Sequence, residues 1–80
     1  MKPYSTEEFH HYLAERGVSE SKGMDLHIRD VRREVIDGEP VIVVYHREID
    51  RGVILDRQYA MALTEVLGPH PLVEEFFRLQ

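Results

Sequence analysis

A two-residue turn that precedes a run of β-branched residues constrains this fold more than any other feature of the sequence. The pair Asp37-Gly38 is typical of a tight turn, because glycine adopts positive φ without steric cost and aspartate tolerates it. Residues 41–45, Val-Ile-Val-Val-Tyr, are the most β-prone run in the chain. A strand of this quality needs a neighbour, and the segment before the turn is nearest, so we predict a strand over residues 24–36. The alternative for that segment is a helix, with an apolar stripe through Met24, Ile28, Val31 and Val35.

The residues before the hairpin predict one amphipathic helix over residues 6–16. Ser5 is a typical N-cap, and Glu8, three residues later, completes a capping box. Gly17 suits a left-handed C-terminal cap, because it has no Cβ to clash in that conformation. The apolar stripe of this helix is formed by Phe9, Tyr12 and Leu13.

Three further elements are predicted after the hairpin. Asp50-Arg51-Gly52 is typical of a type I turn followed by a glycine bulge, which predicts a short third strand at residues 53–55. Asp56 can cap a helix over residues 57–67. Pro71 suits the first position of a last short helix. The side chains that we expect to face the core from these two helices are Tyr59, Leu63, Val66, Leu67, Leu72, Phe76 and Leu79.

The order of these elements, α-β-β-β-α-α, predicts a single α+β domain over residues 1–80. In this domain an antiparallel three-stranded meander packs against helices. The order resembles the α-β-β-β-α order of double-stranded RNA-binding domains. Those domains grip phosphates with a basic cluster at the start of their last helix, where this chain reads Asp56-Arg57-Gln58-Tyr59. The resemblance therefore implies a topology and not the binding of RNA.

Because side chains alternate across a strand, the hairpin has two faces, and odd positions before the turn pair with even positions after it. The first face carries Met24, Leu26, Ile28, Ile36, Val41, Val43, Tyr45 and Ile49. The second face has an aliphatic patch near the turn and charged residues further away. It carries His27, Arg29, Val31, Arg33, Val35, Ile42, Val44, His46 and Glu48. The first face is richer in apolar residues, so we expect the helices to cover it.

The second face is the predicted contact surface. An apolar centre with a polar rim is typical of interaction sites, and a chain this small has little material to cover both faces of a sheet. Either the C-terminal helices divide between the two faces, or the second face meets another chain. Phe77, beside Phe76 on the last helix, either lies along a neighbouring element or anchors an interface. The predicted interface residues are Arg29, Val31, Arg33, Val35, Ile42, Val44, His46, Glu48 and Phe77.

Composition and charge narrow the class of partner. The net charge of −5 argues against direct binding to nucleic-acid phosphates. No apolar run is long enough to span a membrane and the first residues lack a signal-peptide pattern, so we expect a soluble cytoplasmic protein without membrane contact. We hypothesise a non-enzymatic module that forms a homodimer or binds a larger protein partner. The alternative is a small acidic inhibitor of a nucleic-acid-handling protein, of the kind that phages deploy against their hosts.

Five histidines in 80 residues raise a metal or acid–base hypothesis. His27 and His46 could share the second face with Glu48, and two imidazoles with a carboxylate are ligand types of zinc. The other interpretation is surface histidines with a cross-strand ion pair such as Arg29 with Glu48. The chain has no cysteine, no HExxH motif, no GxGxxG motif and no P-loop. We therefore predict no catalytic residue, no cofactor and no bound metal.

Overall fold

The computed structural model of this chain describes residues 2–19 and 27–79. Its elements are, in chain order, α1 (Thr6–Glu15), β1 (Ile28–Ile36), β2 (Glu39–His46), β3 (Val53–Ile54), α2 (Arg57–Leu67) and α3 (Pro71–Arg78). The strands form one antiparallel sheet in the order β1-β2-β3. This arrangement confirms the predicted α+β class and the meander. Residues 24–26 of the predicted first strand lie outside the described residues.

Local signals in the sequence set both ends of α1. The Glu8 N–H donates to Ser5 Oγ at 3.1 Å, and the Ser5 N–H donates to the Glu8 carboxylate at 3.0 Å. The predicted capping box is therefore confirmed. At the other end Gly17 has φ 68°, and the Val18 N–H donates to the Leu13 carbonyl at 2.9 Å, as in a Schellman motif.

The hairpin turns at Asp37 and Gly38, as predicted, with φ of 51° and 83°. Both values are positive, as a two-residue type I′ turn requires. The register pairs odd positions of β1 with even positions of β2, for example Val31 with Val44. The register shifts between Ile28 and Asp30, where Arg29 is the extra residue of a β-bulge. The bulge places Ile28 opposite His46, which puts both residues on the same face.

The second face of the hairpin carries the helices, so the prediction that they cover the first face is wrong. Ile42 and Val44 of the second face lie in one buried cluster with residues from all three helices, namely Phe9, Leu13, Tyr59, Ala60, Leu63 and Val73. The prediction had counted Ile28 and Ile49 with the first face, but both pack against this cluster. The bulge at Arg29 explains why Ile28 lies on the second face, because one extra residue moves the side chains that precede it to the opposite face.

The connection from β2 to β3 differs from the predicted glycine-bulge turn. β2 ends at His46 and six residues lead to β3, and Gly52 is not among the described residues with positive φ. Glycine is required here for space, because a Cβ at residue 52 would overlap Val43 Cγ1 and lie 3.0 Å from the Tyr45 ring. Gly52 also accepts a hydrogen bond from the Tyr4 N–H at 2.8 Å, which ties the N-terminal segment to β3.

The bounds of α2 are as predicted, but only part of the predicted inner faces of α2 and α3 is buried. Asp56 caps α2 by accepting from the Tyr59 N–H at 2.8 Å, and Pro71 opens α3 as predicted. The predictions for Val66, Leu67 and Leu79 are wrong, because all three are exposed. Val66 and Leu67 lie in the last turn of α2, and Leu79 follows Arg78, the last residue of α3. The residues that are fully buried in these helices are Tyr59, Ala60, Leu63 and Val73.

Candidate protein-binding surface

The nine predicted interface residues separate into a covered group and an exposed group. Ile42, Val44 and His46 are buried, and Val31 is half-buried against the same cluster. The helices of the same chain cover Val44 and His46 almost completely, so these two are not surface residues, whereas Ile42 also lines a groove at the surface. The exposed group consists of Arg29, Arg33, Val35, Glu48 and Phe77.

His46 is a core residue. Its ring stacks on Phe9 with 5.7 Å between the ring centroids and 10° between the ring planes. Its Nε2 forms a hydrogen bond with the Tyr59 hydroxyl. Burial raises the pKa of Tyr59 well above its usual range, so this hydroxyl keeps its proton at every physiological pH. The aromatic packing and the hydrogen bond together join α1, β2 and α2.

The structure separates the two histidines of the metal hypothesis. The bulge places His27 opposite Arg47, whose N–H donates to the His27 carbonyl at 2.9 Å, while His46 faces the core. His27 is exposed, and its Nδ1 lies 2.8 Å from Glu48 Oε1. Among residues 2–19 and 27–79, no group of three His, Asp or Glu side chains is placed to hold a metal ion. The pair of His27 with Glu48 is therefore a surface contact.

An apolar groove lies between α3 and the turn end of the hairpin. It encloses about 200 Å³, and we call it the α3 groove. Pro40, which lines the groove, pairs with the exposed Val35 on the second face near the turn. The groove is lined by Arg33, Pro40, Val41, Ile42, Leu55, Glu75, Phe76 and Leu79.

Three large apolar side chains are exposed on α3 and the neighbouring end of β1. Leu79 is 77% exposed and Val35 is 70% exposed, and Phe77 is about one third exposed. The Phe77 ring packs edge-on against Phe76 with 5.8 Å between the centroids, which holds the two aromatic rings in a defined arrangement. Apolar side chains grouped around a groove are typical of a binding surface, whereas isolated ones are ordinary.

A salt bridge forms one side of the α3 groove. Arg33 donates to both oxygens of Glu75, with Nε and Nη2 distances of 2.7 and 2.6 Å. This bidentate contact holds the pKa of Glu75 below its usual value and raises that of Arg33. It also fixes α3 against β1. A second depression of about 440 Å³ adjoins the bridge and is lined by Arg33, Pro71, Glu75, Arg78 and Leu79.

The first face of the sheet is more polar than the α3 groove. The Tyr45 hydroxyl donates to the Glu34 carboxylate, and this contact raises the Tyr45 pKa. The guanidinium carbons of Arg32 and Arg29 lie 5.1 and 5.5 Å from the centroid of the Tyr45 ring. Charged side chains on strands favour contact with water, so this face is a weaker candidate for an apolar contact.

Sequence reasoning identified Arg33 and Ile42 of the groove lining, and Val35 beside it, but missed the other residues that complete the α3 groove. The sequence pattern predicts Leu55 in the third strand and Leu79 in the core. The signal for Leu79 was present, because it follows Arg78, the last residue of α3, and so lies at the frayed end of the apolar stripe.

Comparisons with known proteins do not place this chain in a family. It matches no family profile, no curated protein and no solved structure. Within the part of the chain that the structure describes, no helix is both long enough and apolar enough to cross a membrane.

Proposed function

We propose that this chain is a non-enzymatic protein-binding module whose contact surface is the α3 groove with the exposed side chains beside it. The observation that carries the proposal is the exposure of Leu79 and Val35, at 77% and 70%, next to an apolar groove. Burying a large aliphatic side chain in such a groove stabilises a complex by about 1.5–3 kcal/mol. The proposed surface retains the turn end of the second face, where Val35 and Arg33 were predicted to act.

The polar rim supports the same function. The bridge between Arg33 and Glu75 is satisfied within the chain, so a partner can cover it without leaving a charge unpaired. An apolar centre with satisfied polar groups at its edge is the usual composition of a protein–protein interface. The hypothesis of an acidic inhibitor of a nucleic-acid-handling protein remains a prediction from composition alone.

Site-specific photocrosslinking in cells of the organism that carries the gene for this chain tests the proposal. A benzophenone amino acid replaces Leu79, and in a matched control it replaces Gln58, an exposed residue of α2. We expect a crosslinked polypeptide from position 79 and none from position 58. Introducing Val35→Lys should remove the crosslink, because it places a charge beside the groove.

Two results would overturn the proposal. One is the absence of any polypeptide adduct at position 79. The other is an adduct that forms equally at position 58 or that persists with Val35→Lys, because the contact would then not depend on the α3 groove.

A further inference from the structure

The strand β1 is an open edge of the sheet. The strand order is β1-β2-β3, so β2 lies along only one side of β1. Among the described residues no other strand pairs with β1, whereas the bridge from Tyr4 to Val53 lies at the opposite edge, on β3. An edge strand presents unpaired backbone N–H and C=O groups that a further strand can bind. At nine residues, β1 is longer than most strands and offers a long edge.

Alternate residues of β1 turn their backbone groups toward this open edge. In an antiparallel ladder, successive residues point their N–H and C=O groups toward the neighbouring strand and away from it in turn. The Val31 N–H donates to Asp30 Oδ1 at 2.9 Å, so it is not used in the ladder with β2. The residues whose backbone groups face outward are therefore Val31, Arg33 and Val35, and their side chains lie on the second face.

The charges of β1 favour one register for pairing this edge with itself. If Arg33 lies opposite Arg33 of a second, antiparallel copy, Arg32 of each copy lies opposite Glu34 of the other. In the same register Val31 lies opposite Val35. Opposite charges and aliphatic pairs directly across from each other stabilise a sheet, and like charges destabilise it. The nearest registers that still match outward residues, two residues away, place Arg32 opposite Arg32 or Glu34 opposite Glu34.

The two central arginines of this register are each balanced within their own chain. Arg33 donates to both carboxylate oxygens of Glu75, at 2.7 and 2.6 Å. Two copies therefore bring two arginines and two glutamates together at the centre, with no net charge. The register also covers Val35, which is 70% exposed in the single chain, because Val31 of the other copy packs beside it.

We infer that β1 pairs edge to edge with β1 of a second copy of this chain, in the register centred on Arg33. The two sheets then join into one two-fold symmetric antiparallel sheet. The Val31 N–H exchanges the Asp30 carboxylate for the Val35 carbonyl of the other copy, and Asp30 keeps its contact with Arg32 Nε at 2.6 Å. The inference goes beyond the proposed function, because it uses the backbone edge of β1 and not the apolar surface of the α3 groove.

Charge reversal followed by mixing tests the pairing. Arg32→Glu places two acidic residues opposite each other and Glu34→Arg places two arginines opposite each other, so each variant should dimerise at least about fourfold more weakly than the wild type. An equimolar mixture of the two variants should restore the dimer, because Arg and Glu again lie opposite each other between the different chains. Sedimentation equilibrium from about 1 μM to about 300 μM measures the average mass. We expect it to rise from 9.4 kDa toward twice that value for the wild type and the mixture.

Two variants of α2 are the matched controls. Arg57→Glu and Glu65→Arg make the same changes of net charge at exposed positions away from β1, so both should dimerise like the wild type. Circular dichroism on every variant checks that the fold is retained. Restoration by mixing cannot come from a change in the stability of either single chain, so it reports the contact itself.

Single cysteines test the register, because the chain has none of its own. Under mild oxidation, Arg32→Cys mixed with Glu34→Cys should form a disulfide-linked dimer, since directly opposite residues have Cα atoms roughly 4.5–5.5 Å apart. Each variant alone should link much less, because the two copies of one residue then lie on a diagonal, about 7 Å apart or more. Gln58→Cys on α2 measures linkage from random collision.

Three results would overturn the inference. One is a wild-type chain that stays at 9.4 kDa at every concentration. Another is a mixture of folded Arg32→Glu and Glu34→Arg that associates no more strongly than each variant alone. The third is a disulfide yield from Gln58→Cys, or from either β1 cysteine alone, that equals the yield of the mixed pair. The proposed function is decided separately, because a crosslink from position 79 to a different polypeptide would stand even if the wild type were a monomer.

Discussion

At the scale of single residues, two buried positions have roles that their residue types alone do not reveal. His46 is polar yet is buried between the Phe9 ring and the Tyr59 hydroxyl. Gly52 does not have a positive φ. A glycine is needed there because the absence of a side chain leaves room for Val43. In both cases the neighbouring residues explain why this residue type is present. A buried polar side chain such as His46 needs a hydrogen-bond partner, and a backbone that neighbouring atoms approach closely, as at Gly52, needs a residue without a side chain.

Removing the Tyr59 hydroxyl tests the first of these roles. Tyr59→Phe keeps the ring in the core but takes away the hydrogen bond to His46 Nε2. We expect the free energy of unfolding to fall by about 1–3 kcal/mol, because a buried polar atom loses a partner. Urea denaturation measures the change. Tyr4→Phe is the control, since its hydroxyl reaches the exposed Asp50 at 3.2 Å and should contribute less. Equal losses in the two variants would contradict a special role for His46 with Tyr59.

Adding one methyl group at residue 52 tests the second role. Gly52→Ala places a Cβ where Val43 Cγ1 now lies. We expect a loss of about 1–3 kcal/mol in unfolding free energy from overpacking. In a Val43→Ala background the penalty of Gly52→Ala should shrink, because the overlapping Cγ1 atom is gone. A double-mutant cycle by urea denaturation measures this coupling, and additive effects would show that space is not the reason for the glycine.

At the scale of elements, caps and turns account for where each helix and the hairpin begin and end, and side-chain contacts between elements account for their placement. α1 has its capping box, α2 has Asp56 and α3 has His70 as N-cap, whose Nδ1 accepts from the Leu72 N–H at 3.2 Å. None of these local signals positions α3 on the sheet. The contact between α3 and the sheet includes the salt bridge between Arg33 of β1 and Glu75 of α3, which are 42 positions apart in the sequence.

The bridge predicts a specific dependence of stability on pH. Arg33 lowers the pKa of Glu75 in the folded chain below its ordinary value of 4.5. The unfolded state therefore binds more protons below about pH 4.5, and the stabilisation from the bridge is lost as pH falls through the folded pKa. We expect the unfolding free energy of Glu75→Gln to fall less steeply than that of the wild type between about pH 5 and pH 3. The effect should be small and weakened by salt, because both side chains are partly exposed.

Glu74→Gln provides the control for this measurement. It removes the same charge from the neighbouring position of α3 and leaves the bridge intact. Urea denaturation across the pH series should give Glu74→Gln the slope of the wild type. Identical slopes for Glu75→Gln and the wild type would contradict a stabilising bridge.

At the scale of the whole molecule, the described helices all pack on one face of a three-stranded sheet. A domain of this size buries only about 60% of the surface that its unfolded chain exposes. Association with another chain is therefore a natural source of further stability, and among the described residues the α3 groove is one region that offers apolar surface for it.

Much of the fold could be predicted because its signals are local. Asp37-Gly38 favours a turn with positive φ, Ser5 with Glu8 forms a capping box, and Pro71 suits the first turn of a helix and not its interior. Each of these depends on residues within four positions of one another, so the sequence displays them directly. The candidate site was predicted only in part, through Val35, Arg33 and Ile42, because these residues are near the turn and their pairing follows from the register.

The sequence by itself therefore determined the elements, their order and the pairing of the hairpin, and only the tertiary structure decided which face of the sheet became the core. Alternation makes both faces of residues 41–46 apolar, so the choice depends on the helices that must cover one face, and the extra residue at Arg29 brings Ile28 to that covered face. That choice buried Val44 and His46, while Val35, on the same face nearer the turn, and Leu79, after the end of α3, stay exposed. Burial is a property of contacts between distant segments, and no local pattern specifies which segments will meet.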